Sequence, residues 1–394
     1  MTGHELALST MGVFPSVSVR LNPFKPTDSP LPILEGAERV PWSPYGYILA
    51  ERPVFTLHPL FHAGAYYVQD SSAMYVGHIF RNLLDSCESL RGKIRVLDLC
   101  AAPGGKTTDL AASLRERFGD DFLLVSNEVM KQRASVLCDN VNIWGDPNVV
   151  VTSVDPAAFA SLGGMFDIIV ADVPCSGEGM FRKDSRAVEE WSEEVVALCA
   201  SRQRRILADV WPALRKGGLL IYSTCTFEEA ENDDNLEWAS RELGGTVFTP
   251  RDEFKGVRVT RSGNMLVSGE VPGEGQWVGA LKKTSDSEES RADISSLRLL
   301  RNGVSHGEVK AGTLVPDPDW ALSIDFDKNA YPMVSVDKQT ALSFLHRDTI
   351  VLNNAPKGYL VLTYRGLPLG FVKNLGSRCN NLHPKGRRIL MDIK

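Results

Sequence analysis

Between residue 91 and about residue 225 the chain alternates short apolar runs with longer amphipathic stretches. Residues 95–100, 122–126, 148–152, 166–171 and 219–223 are short runs made mostly of apolar residues and predict five strands. The intervening segments 106–118, 131–144 and 193–216 carry helical periodicity, and Gly217-Gly218 reads as the stop of the last helix. Strands apolar at every position, rather than at every second one, fit a sheet buried on both faces. Strands separated by helices predict a parallel, doubly wound, Rossmann-like α/β sheet.

At 394 residues the chain exceeds what one core usually serves, so further domains are expected. Residues 1–90 are irregular and rich in proline and aromatics, which predicts a small substrate-facing N-terminal domain. The sheet domain then runs over 91–283. Residues 284–292 are polar, without a large apolar side chain, and read as a linker. Within 293–394, the runs 359–364 and 367–372 flank Arg365-Gly366 and predict a β-hairpin in a β-rich C-terminal domain.

Composition narrows the classes. No window approaches 18 uncharged apolar residues, so no membrane span is expected, and the first residues do not read as a signal peptide. Seven cysteines without short paired spacing argue against a disulfide scaffold and against a metal cluster; a monomer in a reducing cytoplasm is the expectation. The net charge of −6 is a mild point against nucleic-acid binding. Locally, residues 373–394 hold Lys373, Arg378, Lys385, Arg387, Arg388 and Lys394 against Asp392 alone.

The segment Cys100-Ala101-Ala102-Pro103-Gly104-Gly105-Lys106 lies between the first strand and its helix. Small residues there let a backbone approach a ligand closely, with helix N-terminal amides free to bind it. A phosphate-binding loop is one reading, but Cys100 stands where its first glycine is required. A nucleoside cofactor across the sheet is another, and it predicts an acid at the end of the second strand; Glu128 is there. Asp155 after the third strand can accept from an adenine amino group. Asp172, ending the fourth, would lie near the cofactor's amino-acid end.

Two thiols complete the pattern. Cys175 follows Pro174 and precedes Gly177 and Gly179, in a shaped loop after the fourth strand, and Cys225 ends the fifth. Neighbouring strand ends would put both in one cleft. Cys87, Cys138, Cys199 and Cys379 read instead as inert small hydrophobes. Thiols suit methylation of cytosine at carbon 5: addition to carbon 6 breaks aromaticity and makes carbon 5 a nucleophile. A nearby acid that protonates ring nitrogen 3 assists, and Asp172 is the candidate. Position alone leaves the two thiols equivalent.

The motifs Cys100-Ala-Ala-Pro-Gly-Gly-Lys-Thr107, Asn127-Glu128, Asp172-Val-Pro-Cys-Ser-Gly177 and Ser223-Thr-Cys-Thr226 resemble the Sun-type family of RNA 5-methylcytosine methyltransferases. The closer likeness is to its bacterial branch acting on 16S, small-subunit, ribosomal RNA. Val19-Arg-Leu-Asn-Pro-Phe-Lys25, Gly64-Ala-Tyr-Tyr-Val-Gln-Asp-Ser-Ser72, Gly273-Glu-Gly275 and the stretch 380–390 extend the likeness over nearly the whole chain. The resemblance implies a class I methyltransferase sheet with S-adenosylmethionine held by residues 100–106, Glu128, Asp155 and Asp172. It implies Cys225 as nucleophile and Cys175 as the residue that aids release, and an RNA-binding C-terminal domain of PUA-like type. Family members commonly carry a longer helical stretch before Val19, so either this branch has a shortened N-terminal domain or the N-terminus is truncated. Transfer RNA as substrate, a catalytically silent RNA-binding module and a nucleotide hydrolase are the alternatives.

Overall fold

The computed structural model describes residues 2–86, 90, 92–251, 254–287, 290 and 292–393. Its centre is a mixed sheet of ten strands among the described residues, flanked by helices. In chain order the central elements are α1 (Tyr75–Ser86), β1 (Ile94–Asp98), α2 (Gly105–Phe118), β2 (Phe122–Asn127), α3 (Lys131–Trp144) and β3 (Val149–Thr152). They continue with β4 (Phe166–Asp172), α4 (Glu193–Val210), β5 (Leu214–Thr224), α5 (Asp233–Leu243) and β6 (Gln276–Lys283). The parallel strands run in the order β3-β2-β1-β4-β5, so strand order reverses between β1 and β4. That switch point opens a crevice beyond the strands' C-terminal ends.

Adjacent residues of each strand feed opposite layers of core. Val96, Ile168, Val170 and Ile221 pack with α1 and α2 on one face. Leu97, Ile169, Ala171, Leu220 and Tyr222 pack with Ile206, Leu207 and Val210 of α4 on the other. Both faces are buried, which is why the strands read as continuous apolar runs.

The sheet is not purely parallel. β6 adds antiparallel to β5 and carries Gly263–Leu266 and Gly245–Val247 on its far side, with Val257–Val259 beyond. Leu299–Asn302, which lie beyond the expected linker, pair antiparallel with β3 at the opposite edge. The described part of the 284–292 segment is docked: the amides of Thr284 and Ser285 donate to the Gly244 carbonyl, and Ser287 Oγ to that of Leu214. Residues 288, 289 and 291 fall outside the described residues.

Two predicted elements differ from those observed. α4 ends at Val210 rather than 216, because Pro212 has no N–H to continue the helix and sits in a 3-10 turn, Trp211–Ala213. Gly217-Gly218 is therefore not a helix stop; it lies inside β5, where the pairing register with β4 shifts and Gly217 takes φ +75°. Nor is the region before residue 90 irregular throughout. It forms a four-stranded sheet, Glu38–Arg39, Gly46–Ile48, Ser18–Leu21 and Tyr66–Val68 in spatial order. Within α1, Tyr75, Val76, Ile79, Phe80, Leu83 and Leu84 make a buried helical stripe.

The predicted hairpin is present as Gly358–Tyr364 and Leu367–Asn374, its turn made by Arg365 and Gly366 at φ +47° and +80°. Met333–Ser335 pairs parallel to its first strand and Cys379–Asn381 antiparallel to its second. This C-terminal sheet and the N-terminal one share a single hydrophobic cluster, with Val19, Leu49 and Leu60 against Leu342, Phe344, Leu360 and Leu362.

Arg20 ties the N-terminal sheet to the helix behind the Cys100–Gly105 turn. Fully buried, it donates to Gln69 Oε1 (2.9 Å), the Gly105 carbonyl (3.1 Å) and Thr108 Oγ1 (2.5 Å), and it lies over the Trp144 ring at 4.7 Å. Arg20→Leu should lower the unfolding free energy in urea titration by about 3 kcal/mol, the cost of leaving buried partners unmatched.

Candidate active site

Most of the site's side chains stand at or just beyond the C-terminal ends of the central parallel strands, joined by Lys106 from the start of α2 and Gln276 from the start of β6. β1 leads into the 100–104 turn, whose Gly104 caps α2 at φ +111°. A side chain at Gly104 would be strained there and would press on Leu137 at 3.2 Å. Asn127 stitches the neighbouring strand ends together: its Nδ2 donates to the carbonyls of Leu99 and Val154, and its Oδ1 accepts from Thr152 Oγ1 and the Val154 amide.

Beneath the turn lies Asp98, which the sequence reading passed over. It is wholly buried; Oδ2 accepts from Thr107 Oγ1 at 2.7 Å, and Oδ1 has no partner among the described residues. Burial pushes its carboxyl up to about 7, although Thr107 and Lys106 pull the other way. An orphaned buried acceptor at such a turn marks a place for a ligand's donor group.

The predicted acids diverge. Glu128 is buried, with Oε1 accepting from the Met130 amide (2.9 Å) and Oε2 3.3 Å from Arg133 Nη1. Asp155 is exposed and caps the 3-10 turn Pro156–Leu162 by accepting from the Ala157 amide at 3.0 Å. Asp172 meets three donors: Lys106 Nζ at 2.8 Å on Oδ2, Ser223 Oγ at 2.7 Å and Gln276 Nε2 at 3.0 Å on Oδ1. Both oxygens already accept, but among the described residues Oδ2 takes Lys106 alone and keeps one acceptor site open toward the crevice. Burial works against the Lys106 charge, but Asp172 outweighs it and holds the ammonium above its ordinary range. Gln276 comes from β6, about a hundred residues away in sequence, and has no local signal.

The two thiols meet. Cys175 Sγ and Cys225 Sγ are 3.2 Å apart, both half-buried. Behind them the Gly179 amide donates to the Cys225 carbonyl at 2.8 Å. The contact with the Cys225 sulfur, then burial, push the Cys175 thiol far up. Either sulfur can donate in this contact, and a Cys175 thiol held neutral has an S–H to offer Cys225. Cys100 is also pushed up by burial and the surrounding acids, which favours its neutral thiol. Cys199 and Cys379 are buried and Cys138 half-buried, while Cys87 falls outside the described residues.

Of the basic C-terminal residues, Arg387 is not free: it pairs with Asp319 and lies 3.7 Å from Asp139. Arg378, Lys385 and Arg388 are exposed, and Lys394 falls outside the described residues.

Three family models match in chain order. Residues 7–71 match the N-terminal domain of 16S rRNA methyltransferase RsmF, 89–264 match 16S rRNA methyltransferase RsmB/F, and 331–389 match the RsmF PUA domain. The chain belongs to the RsmB/F family. A ribosomal RNA small subunit methyltransferase F from Shewanella amazonensis is 28% identical over 94% of this chain and 91% of its own. Its counterpart from Escherichia coli O157:H7 is 37% identical over 56% of this chain and 46% of its own. Among solved structures, a methyltransferase homologue from Pyrococcus horikoshii superposes with a TM-score of 0.57 at 24% identity, covering 71% of this chain and 90% of that one. NSun6 from the same organism gives 0.57 at 17% identity, covering 72% and 94%. These likenesses show the fold.

Iodoacetamide at neutral pH should label Cys175 more slowly than Cys225, read by peptide mass spectrometry. In Cys225→Ala the largest cause of the Cys175 shift is gone, so its labelling should accelerate several-fold.

Proposed function

We propose that this RNA methyltransferase transfers the methyl group of S-adenosylmethionine to carbon 5 of a cytosine in small-subunit ribosomal RNA, with Cys225 as a covalent nucleophile. The observation that carries the reading is the pair of thiols 3.2 Å apart at the ends of neighbouring strands, beside the Lys106–Asp172 pair.

The turn fits the cofactor: a glycine where a side chain would be strained, and Asp98 Oδ1 without a partner among the described residues. Residues 100–106, Glu128, Asp155 and Asp172 would hold it. When bound it supplies an electrophilic methyl group. Cys225 Sγ adds to carbon 6 of the target cytosine, and the displaced electron pair makes carbon 5 nucleophilic. After methylation a base removes the carbon-5 proton, the ring double bond re-forms, and the carbon–sulfur pair returns to Cys225. The Cys175 S–H, with its sulfur 3.2 Å from Cys225 Sγ, stabilises that sulfur's negative charge as it leaves. The base must be splayed out of its stack to reach the crevice. The exposed Arg378, Lys385 and Arg388 supply phosphate contacts in the C-terminal domain, and the reading takes the chain as a cytoplasmic monomer.

Labelled S-adenosylmethionine with unmethylated small-subunit RNA tests the assignment, and bisulfite sequencing locates the position. Cys225→Ala should abolish incorporation. Cys175→Ala should instead accumulate a protein–RNA adduct stable to denaturation. Incorporation by Cys225→Ala at the normal rate rejects the nucleophile, and labelling of transfer RNA alone rejects the substrate.

A further inference from the structure

The Cys175 loop is clamped from both sides by one buried pair. Gln203, in the middle of α4, donates Nε2 to the Pro174 carbonyl (2.9 Å) and to Glu231 Oε2 (2.6 Å). Glu231 accepts in turn from the Ser176 amide (3.1 Å) and the Ser176 hydroxyl. The residue before Cys175 is thus held through its carbonyl and the residue after it through its amide. Gln203 is itself fixed, its Oε1 accepting from Tyr222 Oη (3.0 Å) and Asn235 Nδ2 (2.8 Å).

Glu231 and Gln203 are both fully buried, and among the described residues no cation pairs with Glu231. A buried carboxyl without a cation costs stability, so its value here lies in its geometry. We propose that Glu231 is a positioning residue for Cys175: with Gln203 it fixes the 174–176 backbone so that the Cys175 thiol stays aimed at Cys225 through product release. The inference rests on the reading of Cys175 given above.

Among the described residues the titratable groups facing Glu231 are acids: Glu178 beside Ser176, Cys175 on the loop, Cys199 from α4 and Tyr222 from β5. Burial pushes Glu231 up to about 7, against the hydrogen bonds from Ser176 and Gln203. Protonation puts a donor where Ser176 and Gln203 already donate. The clamp therefore holds above that pH and loosens as pH falls through it.

Glu231→Gln, which keeps the shape, and Gln203→Met, which removes the amide, test this in the full chain with S-adenosylmethionine and unmethylated small-subunit RNA. The readout is the covalent adduct on denaturing gels from pH 6 to 8, with cofactor binding by calorimetry reporting the fold. In the wild type, adduct resolution should slow as pH falls through about 7. Both variants should hold about tenfold more adduct at pH 8, the worth of one charge-assisted hydrogen bond, with a flattened pH response and unchanged cofactor affinity. Should Glu231→Gln fail to fold, Gln203→Met decides alone. Wild-type adduct levels and pH response in the folded variants overturn the inference when Cys175→Ala does trap adduct. If Cys175→Ala traps none, the reading of Cys175 itself falls, and the inference with it.

Discussion

The parallel register of β4 on β5 is the constraint on which the site depends. Asp172 stands opposite Ser223, and the pair is fixed twice, by the strand register and by the Ser223 hydroxyl on the Asp172 carboxyl. The Val173 amide then donates to the Ser223 carbonyl at 3.1 Å. From there the Cys175 loop and Cys225 leave the sheet side by side. A one-residue slip would turn every side chain of the shifted strand to the opposite face and part the thiols. The bulge at Gly217 absorbs the mismatch at the far end of the strands, where no chemistry depends on it.

Around this register the chain accepts polar burial that a purely structural core would avoid. Asp98 and Glu231 lie in the interior near neutral pKa, and Lys106 is held charged against its burial. Each is anchored to a loop on which the proposed reaction relies: the cofactor turn, the Cys175 loop, or Asp172. Neutral thiol and charged ammonium sit within one crevice because different neighbours decide their protonation. Contact with Cys225 and burial act on Cys175, while Asp172 acts on Lys106.

Local pattern reached much of this. The apolar runs located four of the five parallel strands to within two residues, since burial on both faces leaves a continuous signature; the fifth, expected at 219–223, begins five residues earlier at Leu214. It did not foresee that β6 and Leu299–Asn302 would extend the sheet at both edges, because antiparallel additions from distant segments carry no local mark. Gly217-Gly218 misled because two glycines after a helical pattern read as a stop, whereas Pro212 had already ended it. At the site, Cys175, Cys225, Asp172 and Glu128 announced themselves by framing and by position after strands. Gln276, Gln203 and Glu231 did not; each acts through a partner far away in sequence, and only folding brings them together. The stripe in α1 was legible in periodicity, yet it was masked by the proline-rich context before it.

The central claim is that Cys225, and not its neighbour 3.2 Å away, is the attacking sulfur. RNA carrying 5-fluorocytosine at the target position tests it most directly, because the carbon–fluorine bond blocks loss of the carbon-5 substituent and freezes the adduct. Digestion and mass spectrometry of the trapped complex should find the nucleotide on the peptide that carries Cys225, with Cys175 unmodified. Attachment at Cys175 would contradict the account.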